Sequence, residues 1–355
     1  MAAAQPMRST GDCFVWNKFK TAQKPIVLYG MGNGADKIIL ELEKRGIPVA
    51  GVMASDDFVR GQSFHGFVVQ PYRHFKETLK NFIVLICFGT NRPEVLSRIR
   101  QIAKEQETYA PDVPVIGGGL FTTEYAKKHE KALAQVYDLL YDEDSRRVFE
   151  NCVRYRLTGD IRYLFDCESS VSAAFSDILQ PGPGEIYLDL GAYNGDTVLQ
   201  FAKQSPAYRQ MLAVEPDRKN FKKLQKNTEG LRDVTCYPVC ISDHSGAAFF
   251  RTLAGRNSAI GEGGAAVRAE SVDSLLNSAP VTTIKMDVEG GEAAAIAGAR
   301  QTILKYKPKL CVAAYHRTAD YFELPLQVLQ IRSDYRVYVR HHPYIPAWDT
   351  NFYFV

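Results

Sequence analysis

Acidic residues and glycines follow short apolar runs in the second half of the chain. The run at residues 186–190 contains Asp189 and leads into Gly191 and Gly195. Glycines at such a turn let the backbone approach a ligand, and free N–H groups at the start of the next helix attract a negative group. A second apolar run ends at Glu215. Because neighbouring strand ends of a parallel sheet face one crevice, Glu215 can accept hydrogen bonds from both hydroxyls of a ribose. The pattern predicts a nucleoside-bearing cofactor.

The same residues also have a purely structural interpretation. The glycines can serve only a tight turn, and Glu215 can be only a carboxylate at a helix N-terminus. The spacing of Gly191 and Gly195 lacks the G-x-G-x-x-G triplet of a dinucleotide site. This turn therefore makes little provision for a pyrophosphate.

Three titratable residues follow the next apolar runs. Asp287 and Glu289 come after one run, and His316 follows another. Parallel strands would bring them to one crevice, where His316 is the candidate base because imidazole titrates near neutral pH. The alternative is that Asp287 or Glu289 caps the following helix and that His316 is a hydrogen-bonded scaffold residue. Oxygen ligands also suit Mg²⁺, but two acids and one histidine are not a diagnostic spacing, so we predict no required metal.

Other polar residues are candidates for holding an acceptor substrate. They are Ser258, Arg317, Arg340 and His341. The two arginines can bind an anionic group, or they can be surface charges or ion-pair partners. Because His341 and His342 are adjacent on or just after a predicted strand, only one of them can face the site. Ser258 lies in the Gly- and Ala-rich stretch 255–269, which is predicted to be a flexible loop beside the acceptor pocket.

A second glycine-rich turn occurs near the start of the chain. The apolar run at residues 25–29 leads into Gly30, Gly32 and Gly34, and Asp56 follows the next apolar run. This is a loose dinucleotide fingerprint. A unit of this size has no substrate lobe of its own, so we favour recognition of a nucleotide or nucleotide-sugar over hydride transfer. A degenerate fold used for dimerisation or docking is the other alternative.

The elements that must position these residues form two α/β units. Alternating apolar runs and helical patterns predict a small Rossmann-like sheet at residues 24–118, after a polar tail at 1–23. A charged helical pattern predicts a connector at 119–180. The alternation restarts at 181–355 and predicts a second parallel sheet.

Two strand predictions are specific enough to test. The fourth strand of the first sheet is expected at residues 113–116. At the end of the chain, the runs 336–340 and 351–355 leave no room for a helix between them. They should therefore pair as an antiparallel hairpin at the edge of the second sheet.

The composition bounds the class of protein. The 355 residues are 46% hydrophobic and 23% charged, which is ordinary for a globular protein with a sizeable core. The net charge of +3 does not point to nucleic acid or an anionic membrane as a partner. Seven cysteines without a C-x-x-C pair predict neither a disulfide framework nor a zinc ribbon. The longest apolar run, at 82–88, is too short to span a bilayer, so we expect a cytoplasmic protein without membrane insertion.

Four segments together resemble the FkbM family of S-adenosylmethionine-dependent methyltransferases. They are DLGAYNGDT at 189–197, AVEPD at 213–217, ISDHSG at 241–246 and IKMDVEGGE at 284–292. The resemblance covers residues 181–355 and implies a class I methyltransferase sheet of seven strands that ends in the antiparallel hairpin. It also implies a cofactor site made of Asp189, Gly191, Ala192, Asn194, Gly195, Asp196, Glu215, Ser242, Asp243 and Asp287.

The resemblance assigns roles within that site. Asp189 and the glycines would line the methionine part of S-adenosylmethionine, Glu215 would hold the ribose, and Ser242 with Asp243 would lie by the adenine. For Asp243, a simple turn role is the alternative. Among the two adjacent histidines, the resemblance favours His341 as the substrate residue. The first unit is similar to small Rossmann-like domains that precede FkbM modules and sugar acyltransferases.

Three functions follow from these patterns. The first is an S-adenosylmethionine-dependent O-methyltransferase acting on a sugar, glycan or nucleotide-sugar hydroxyl. The second is an NAD(P)-dependent oxidoreductase that uses the N-terminal glycine turn. The third is a non-catalytic module that retains the cofactor site as a sensor. Association into a homo-oligomer is left open by the sequence.

Overall fold

The first half of the structure is built around a five-stranded parallel sheet. The computed structural model describes residues 14–117, 119–251, 259–260 and 265–355. The strands of this half are β1 (Ile26–Tyr29), β2 (Gly51–Ala54), β3 (Ser63–Phe64), β4 (Phe67–Val68), β5 (Gln70–Pro71), β6 (Ile83–Ile86) and β7 (Glu107–Tyr109). The sheet has the order β5-β2-β1-β6-β7, and β3 pairs with β4. The helices are α1 (Val15–Thr21), α2 (Asn33–Lys44), α3 (Tyr72–Thr78) and α4 (Pro93–Glu105).

Helix α1 corrects the prediction of a polar tail at residues 1–23. Val15, Trp16 and Phe19 recur on one face of this helix and are buried. Their burial against the first sheet removes a large apolar area from water, which holds this short helix in place. Residues 1–13 lie outside the described part of the chain.

The last strand of the first sheet lies earlier than predicted. It is β7 at Glu107–Tyr109, which pairs with β6, and the predicted strand at 113–116 is irregular. Pro114 has no N–H to give to a sheet, which disfavours a strand there. Instead, the Ile116 N–H donates to the carbonyl of His316 at 3.0 Å. This segment therefore ties the first half to the second.

Helices occupy the region between the sheets. They are α5 (Thr123–Lys128), α6 (Glu130–Leu139), α7 (Glu143–Thr158), α8 (Arg162–Phe165) and α9 (Val171–Ala173), followed by a π-helical segment at Ala174–Leu179. Helix α7 begins where the Asp142 carboxylate accepts the Ser145 N–H at 2.8 Å, and it ends at Gly159 in the left-handed conformation. Both are standard helix-capping devices.

The second half is built around a seven-stranded sheet. Its strands are β8 (Ile186–Leu190), β9 (Gln210–Val214), β10 (Val234–Tyr237), β15 (Thr283–Met286), β16 (Lys309–Ala313), β17 (Val337–His341) and β18 (Thr350–Phe354). The order is β10-β9-β8-β15-β16-β18-β17, and β18 is antiparallel to both of its neighbours. The helices of this half are α10 (Asp196–Gln204), α11 (Arg218–Thr228), α12 (Val272–Leu276), α13 (Glu292–Gly298), α14 (Arg300–Tyr306) and α15 (Asp320–Ile331). The predicted fold class, including the closing hairpin, is confirmed.

A four-stranded sheet interrupts this pattern. It consists of β11 (Cys240–Ile241), β12 (Gly246–Arg251), β13 (Ala259–Ile260) and β14 (Ala265–Glu270), in the order β11-β14-β12-β13. The prediction of a flexible loop at 255–269 is therefore wrong for its last residues, which pair along β12. Ser258 lies outside the described residues.

One apolar core runs through both sheets and the helices between them. It includes Val84 of β6, Tyr155 of α7, Ile284 of β15 and Phe352 of β18, all fully buried. This continuous packing fixes the first sheet against the second. Among the described residues, no helix has the length and apolar character needed to cross a membrane.

Candidate functional site

The turn after β8 brings the backbone of two strands into close contact. Gly191 has φ +82°, and a Cβ on it would lie 1.8 Å from the carbonyl oxygen of Asp287. No other residue fits here, because both the space and the left-handed backbone exclude a side chain. Gly195, with φ +88°, then caps helix α10. The sequence Gly191–Gly195 thus folds as the strand, turn and helix that its pattern predicts.

Asp189 lies fully buried beneath this turn. Its carboxylate accepts a hydrogen bond from Thr197, and Lys285 Nζ lies 3.4 Å from it. Burial raises the pKa of Asp189, although the lysine opposes the shift. Asp189 therefore supports the turn from below and does not line the cavity described next.

A cavity of about 730 Å³ opens at the carboxyl ends of β8, β9, β15 and β16. Among the predicted site residues, its lining includes Gly191, Asp196, Glu215, Asp287, Glu289 and His316. The carboxyl edge of a parallel sheet is where open α/β folds bind ligands. The structure thus brings the turn, the candidate ribose acid and the candidate catalytic residues to one space.

Glu215 is the buried acid of this cavity. It is 6% exposed, and its carboxylate accepts the N–H groups of Tyr193 at 2.9 Å and Asp217 at 2.8 Å. Burial raises the pKa of Glu215 to about 7. Each carboxylate oxygen keeps a further lone pair, so the group can still accept from ligand hydroxyls.

Three carboxylates surround His316, which is 1% exposed. Its Nε2 lies 3.2 Å from Glu289 Oε2 and 3.6 Å from Asp287 Oδ1, and its Nδ1 lies 3.1 Å from Glu292 Oε1. Burial lowers the pKa of His316, but these negative charges outweigh burial and hold the pKa well above its ordinary value. These charges favour the protonated form of the imidazole, whereas a base would need the neutral form.

Asp287 and Glu289 face the cavity from the loop after β15. Asp287 accepts a hydrogen bond from the Tyr315 hydroxyl at 3.1 Å. Glu289 has φ +52°, an unusual conformation for a residue with a side chain, and burial raises its pKa. Strain of this kind is held only where the surroundings over-determine it, which is common at functional sites.

Two charged residues of the site were missed in the sequence. Lys285 lies inside β15 with its Nζ between Asp189, at 3.4 Å, and Asp287, at 3.7 Å. Burial lowers its pKa, but the two acids outweigh burial and raise the pKa above its ordinary value. A lysine inside a short buried strand was the available signal, because such a charge requires a partner.

Glu292 is the other missed residue. It is 1% exposed, and its Oε1 accepts the N–H groups of Val288 at 2.9 Å and Gly290 at 3.3 Å. Neither Asp287 nor Glu289 caps α13, because its N-cap is Gly291 without a side-chain hydrogen bond. Glu292, the first residue of the helix, bonds backward to the preceding turn. Its side chain holds the turn that carries Glu289 against His316.

The far end of the cavity is aromatic and polar. It is lined by Tyr315, His342, Tyr344, Trp348, Asp349 and Asn351 of the second half and by Asn91 and Val115 of the first half. The rings of Tyr344 and Trp348 lie 5.9 Å apart. These residues were not predicted, because the loop between β17 and β18 and the segments after β6 and β7 meet only in the folded chain.

The first half of the chain docks directly on this end. Thr90 and Ile345 exchange two backbone hydrogen bonds of 2.8 and 3.0 Å. A Cβ on Gly89 would lie 2.3 Å from the ring of Trp348, so glycine allows this close approach. The loop after β6 therefore forms a wall of the cavity.

Several predicted residues lie elsewhere. His342, and not His341, lines the cavity. His341 points to the opposite face, where its Nδ1 lies 3.0 Å from Thr350 Oγ1, and burial lowers its pKa to about 3. The prediction that only one of the pair faces the site was right, but the choice between them was wrong because the register of β17 decides it.

The two predicted arginines are engaged in the scaffold. Arg340 is 9% exposed and bonds through Nη2 to Asp142 at 2.6 Å, at the start of α7. Arg317 is exposed and donates from Nε to the Gly290 carbonyl at 2.8 Å. Neither lines the cavity, which favours the ion-pair and surface alternatives for them.

The remaining predicted cofactor residues lie near the cavity but not in its lining. They are Ala192, Asn194, Gly195, Ser242 and Asp243. Asp243 is exposed and its Oδ1 lies 2.5 Å from Nδ1 of its neighbour His244, in keeping with the turn role. The lining here comes from Val239, Cys240 and Ile241, just before the predicted pair.

The N-terminal glycine turn folds as predicted, between β1 and α2. Gly30 and Gly32 have positive φ, and Gly32 caps the helix. The ring of Phe88 lies against Gly30, 2.4 Å from where a Cβ would be. Asp56 is exposed in the turn after β2, 3.9 Å from Arg98. A nucleotide site at this turn stays a prediction.

Comparison with known proteins agrees with this geometry. Residues 189–344 match the family model of the methyltransferase FkbM domain. The fold is similar to the crystal structure of methyltransferase FkbM from Methylobacillus flagellatus KT, with 21% identity and a TM-score of 0.73 over 94% of this chain and 90% of that chain. It is more distantly similar to precorrin-6y C5,15-methyltransferase from Geobacter metallireducens GS-15, with 13% identity and a TM-score of 0.34 over 52% and 85% of the two chains. No curated protein sequence matches the chain.

The sequence shows two resemblances, one for each half of the chain, and the family-model match concerns only the second half. The likeness to small Rossmann-like domains of the first half stays a prediction. For the second half, the matched residues contain the turn after β8, Glu215, the loop after β15 and His316. Residues 189–344 are therefore similar in sequence to the methyltransferase FkbM domain.

Proposed function

We propose that the chain binds S-adenosylmethionine and transfers its methyl group to a hydroxyl of a sugar or glycan. The main observation that supports a nucleoside cofactor is Glu215, a buried carboxylate that directly follows β9 and faces the cavity beside the Gly191 turn. A carboxylate in this place suits the paired hydroxyls of a ribose. Gly191 admits no side chain, so the backbone is open to close approach. The residues present thus fit a nucleoside cofactor.

The charge of the cavity also fits this cofactor. S-adenosylmethionine, when bound, supplies a methyl group on a positively charged sulfur, and transfer breaks the C–S bond with its electron pair left on sulfur. Glu215, Asp287 and Glu289 line the cavity, where Lys285 Nζ lies 3.7 Å from Asp287 and His316 Nε2 lies 3.2 Å from Glu289. The acids outnumber these two cations once Asp189 and Glu292 are included. An excess of negative charge in a partly buried cavity favours a cationic ligand.

The acceptor hydroxyl must lose a proton during the transfer. Because His316 is held protonated by its acidic neighbours, we assign proton acceptance to the Glu289 carboxylate, whose pKa burial raises. His316 orients that carboxylate at 3.2 Å. Asp287, fixed by the Tyr315 hydroxyl, positions the acceptor in line with the transferred carbon.

The lining of the far end supports a sugar acceptor. Tyr344 and Trp348 offer ring faces, and Asp349 and Asn351, which are bonded to each other at 2.8 Å, keep further hydrogen-bonding capacity. Carbohydrates have apolar C–H faces that pack on rings and hydroxyls that need polar partners.

Calorimetric titration with S-adenosylhomocysteine tests cofactor recognition. We expect binding to the full chain and at least tenfold weaker binding to Glu215→Ala. Glu229→Ala is the matched control, because Glu229 is exposed beyond the end of α11, and it should bind like the parent. Equal affinity of all three proteins would contradict the assignment of Glu215.

Transfer of a labelled methyl group tests the acceptor class. S-Adenosylmethionine with a labelled methyl group is incubated with the chain and with pools of nucleotide-sugars, cell glycans, proteins and nucleic acids. We expect base-stable label in the carbohydrate pools, since methyl ethers survive mild base and methyl esters do not. Asp287→Asn should retain cofactor binding and lose transfer. Label found only in the protein or nucleic-acid pool would refute the sugar acceptor, but it would still support methyl transfer.

A further inference from the structure

The group around His316 has the geometry of a metal-ligand set. One oxygen each of Asp287 and Glu292 and one ring nitrogen of His316 lie within 4.8 Å of one another. Ligand atoms around one ion with bonds of about 2.1 Å are separated by roughly 3 to 4.2 Å, so a small inward movement suffices. Asp287 directly follows β15, Glu292 is the first residue of α13, and His316 lies in the segment after β16.

Two buried atoms of this set are left without hydrogen bonds. Glu292 Oε2 and His316 Nδ1 find no hydrogen-bond partner among the described residues, although both residues are 1% exposed. Nδ1 lies 3.1 Å from Glu292 Oε1, but that oxygen already accepts two backbone N–H groups. A buried polar atom without a partner costs about 1–3 kcal/mol, so such atoms in a native site point to an unseen ligand.

The surroundings add negative charge. Glu289 lies 3.2 Å from His316, and Asp320 at the start of α15 is buried. Burial raises the pKa of both groups, in Asp320 to about 7. Lys285 on the other side pairs with Asp189 and Asp287. A cation beside Glu292 would offset this charge.

We propose that Asp287, Glu292 and His316 bind a divalent cation of the Mn²⁺ class at the floor of the cavity. Two carboxylates and one imidazole form a mixed oxygen and nitrogen set, which suits Mn²⁺ and its first-row neighbours better than Ca²⁺. Asp287 and His316 also line the cavity, so a ligand position stays open toward the acceptor. This proposal differs from the sequence-based prediction of no required metal.

A cation bound at this site would assist removal of the proton from the acceptor hydroxyl. A hydroxyl bound to a divalent cation is more acidic, which makes a carboxylate such as Glu289 a sufficient base. This role rests on the proposed methyl transfer, whereas cation binding itself does not. The competing arrangement is a protonated His316 that neutralises the carboxylates without any ion, and the experiment below separates the two.

Mn²⁺ binding is measured by electron paramagnetic resonance on the chelator-treated full chain. We expect one bound ion per chain and at least tenfold weaker binding in Glu292→Gln. The glutamine oxygen can still accept the Val288 and Gly290 N–H groups, so this variant keeps the turn and replaces only the unpartnered oxygen by an amide. Glu323→Gln is the matched control, because Glu323 is exposed on α15. Its ion affinity should equal that of the parent chain.

The outcomes separate this proposal from the proposed function. Absence of Mn²⁺ binding in a chain that binds S-adenosylhomocysteine would overturn the ion site and leave the cofactor site intact. Equal Mn²⁺ affinity in the parent and Glu292→Gln chains would also overturn it. Mn²⁺ binding without any binding of S-adenosylhomocysteine would support the ion site and contradict the cofactor. Thermal unfolding of each variant shows that it is folded.

Discussion

The elevated pKa of Glu215 makes recognition of a ribose depend on pH. The carboxylate is 6% exposed, and burial raises its pKa to about 7, although the N–H groups of Asp217 and Tyr193 oppose the shift. Below that pH the group is protonated and loses part of its accepting capacity. Hydrogen bonds to an ionised acceptor are roughly twice as strong as those to a neutral one. Affinity for the ribose hydroxyls should therefore fall as the pH is lowered.

The size of the effect follows from the titration. With a pKa of about 7, roughly 90% of the Glu215 side chains are ionised at pH 8 and roughly 10% at pH 6. If only the ionised form binds the hydroxyls, affinity falls by about tenfold over this range, or ~1.4 kcal/mol. This is an upper limit, because a protonated carboxyl retains one acceptor oxygen.

Adenosine is the suitable probe, because it carries the base and the ribose hydroxyls but no group that titrates in this range. Its affinity is measured by calorimetry across the same pH range, with 2′,3′-dideoxyadenosine as the control ligand. We expect adenosine to bind more weakly at the lower pH and the dideoxy compound to bind weakly at both. A pH-independent affinity for adenosine, or an equal dependence for both ligands, would refute the role of Glu215.

Three further predictions address the turn, the wall and the scaffold. Gly191→Ala forces a Cβ to within 1.8 Å of the Asp287 carbonyl, so we expect loss of S-adenosylhomocysteine binding in calorimetry and a lower melting temperature, with backbone strain alone costing about 1–3 kcal/mol. Gly89→Ala presses on the ring of Trp348, so methyl-transfer assays should show an altered acceptor preference while cofactor affinity is unchanged. Arg340→Ala removes the ion pair with the start of α7, and denaturant unfolding should show a loss of about 2–4 kcal/mol with normal cofactor affinity. Unchanged stability of that last variant would mean that Arg340 is not part of the scaffold.

Local sequence patterns were sufficient to predict the buried strands and the glycine turn after β8. The short apolar runs of β1, β6 and β8 are buried on every residue, as parallel strands require, so period and length identified them. Gly191 and Glu215 were found because glycine turns and strand-end acids are local signals. The residues at the far end of the cavity were not predicted, because they come together only through packing of segments that are distant in the sequence.

Other misses have equally physical causes. Which of His341 and His342 faces the cavity depends on the register of a strand, and a shift of one residue reverses the answer. The protonated state of His316 depends on three acids brought together by the fold. The imidazole alone predicted a base, because the acids that raise its pKa come together only in the fold. Glu292 was missed, because its unpartnered oxygen is a property of the folded structure.

Titration of the purified full chain with S-adenosylhomocysteine and, separately, with NADH tests the central claim most directly. The geometry of Gly191 and Glu215 predicts that S-adenosylhomocysteine binds in the micromolar range and that Glu215→Ala abolishes most of this affinity. It predicts no comparable binding of NADH, since the ring of Phe88 lies against Gly30 at the other glycine turn. Micromolar binding of NADH without binding of S-adenosylhomocysteine would contradict the account.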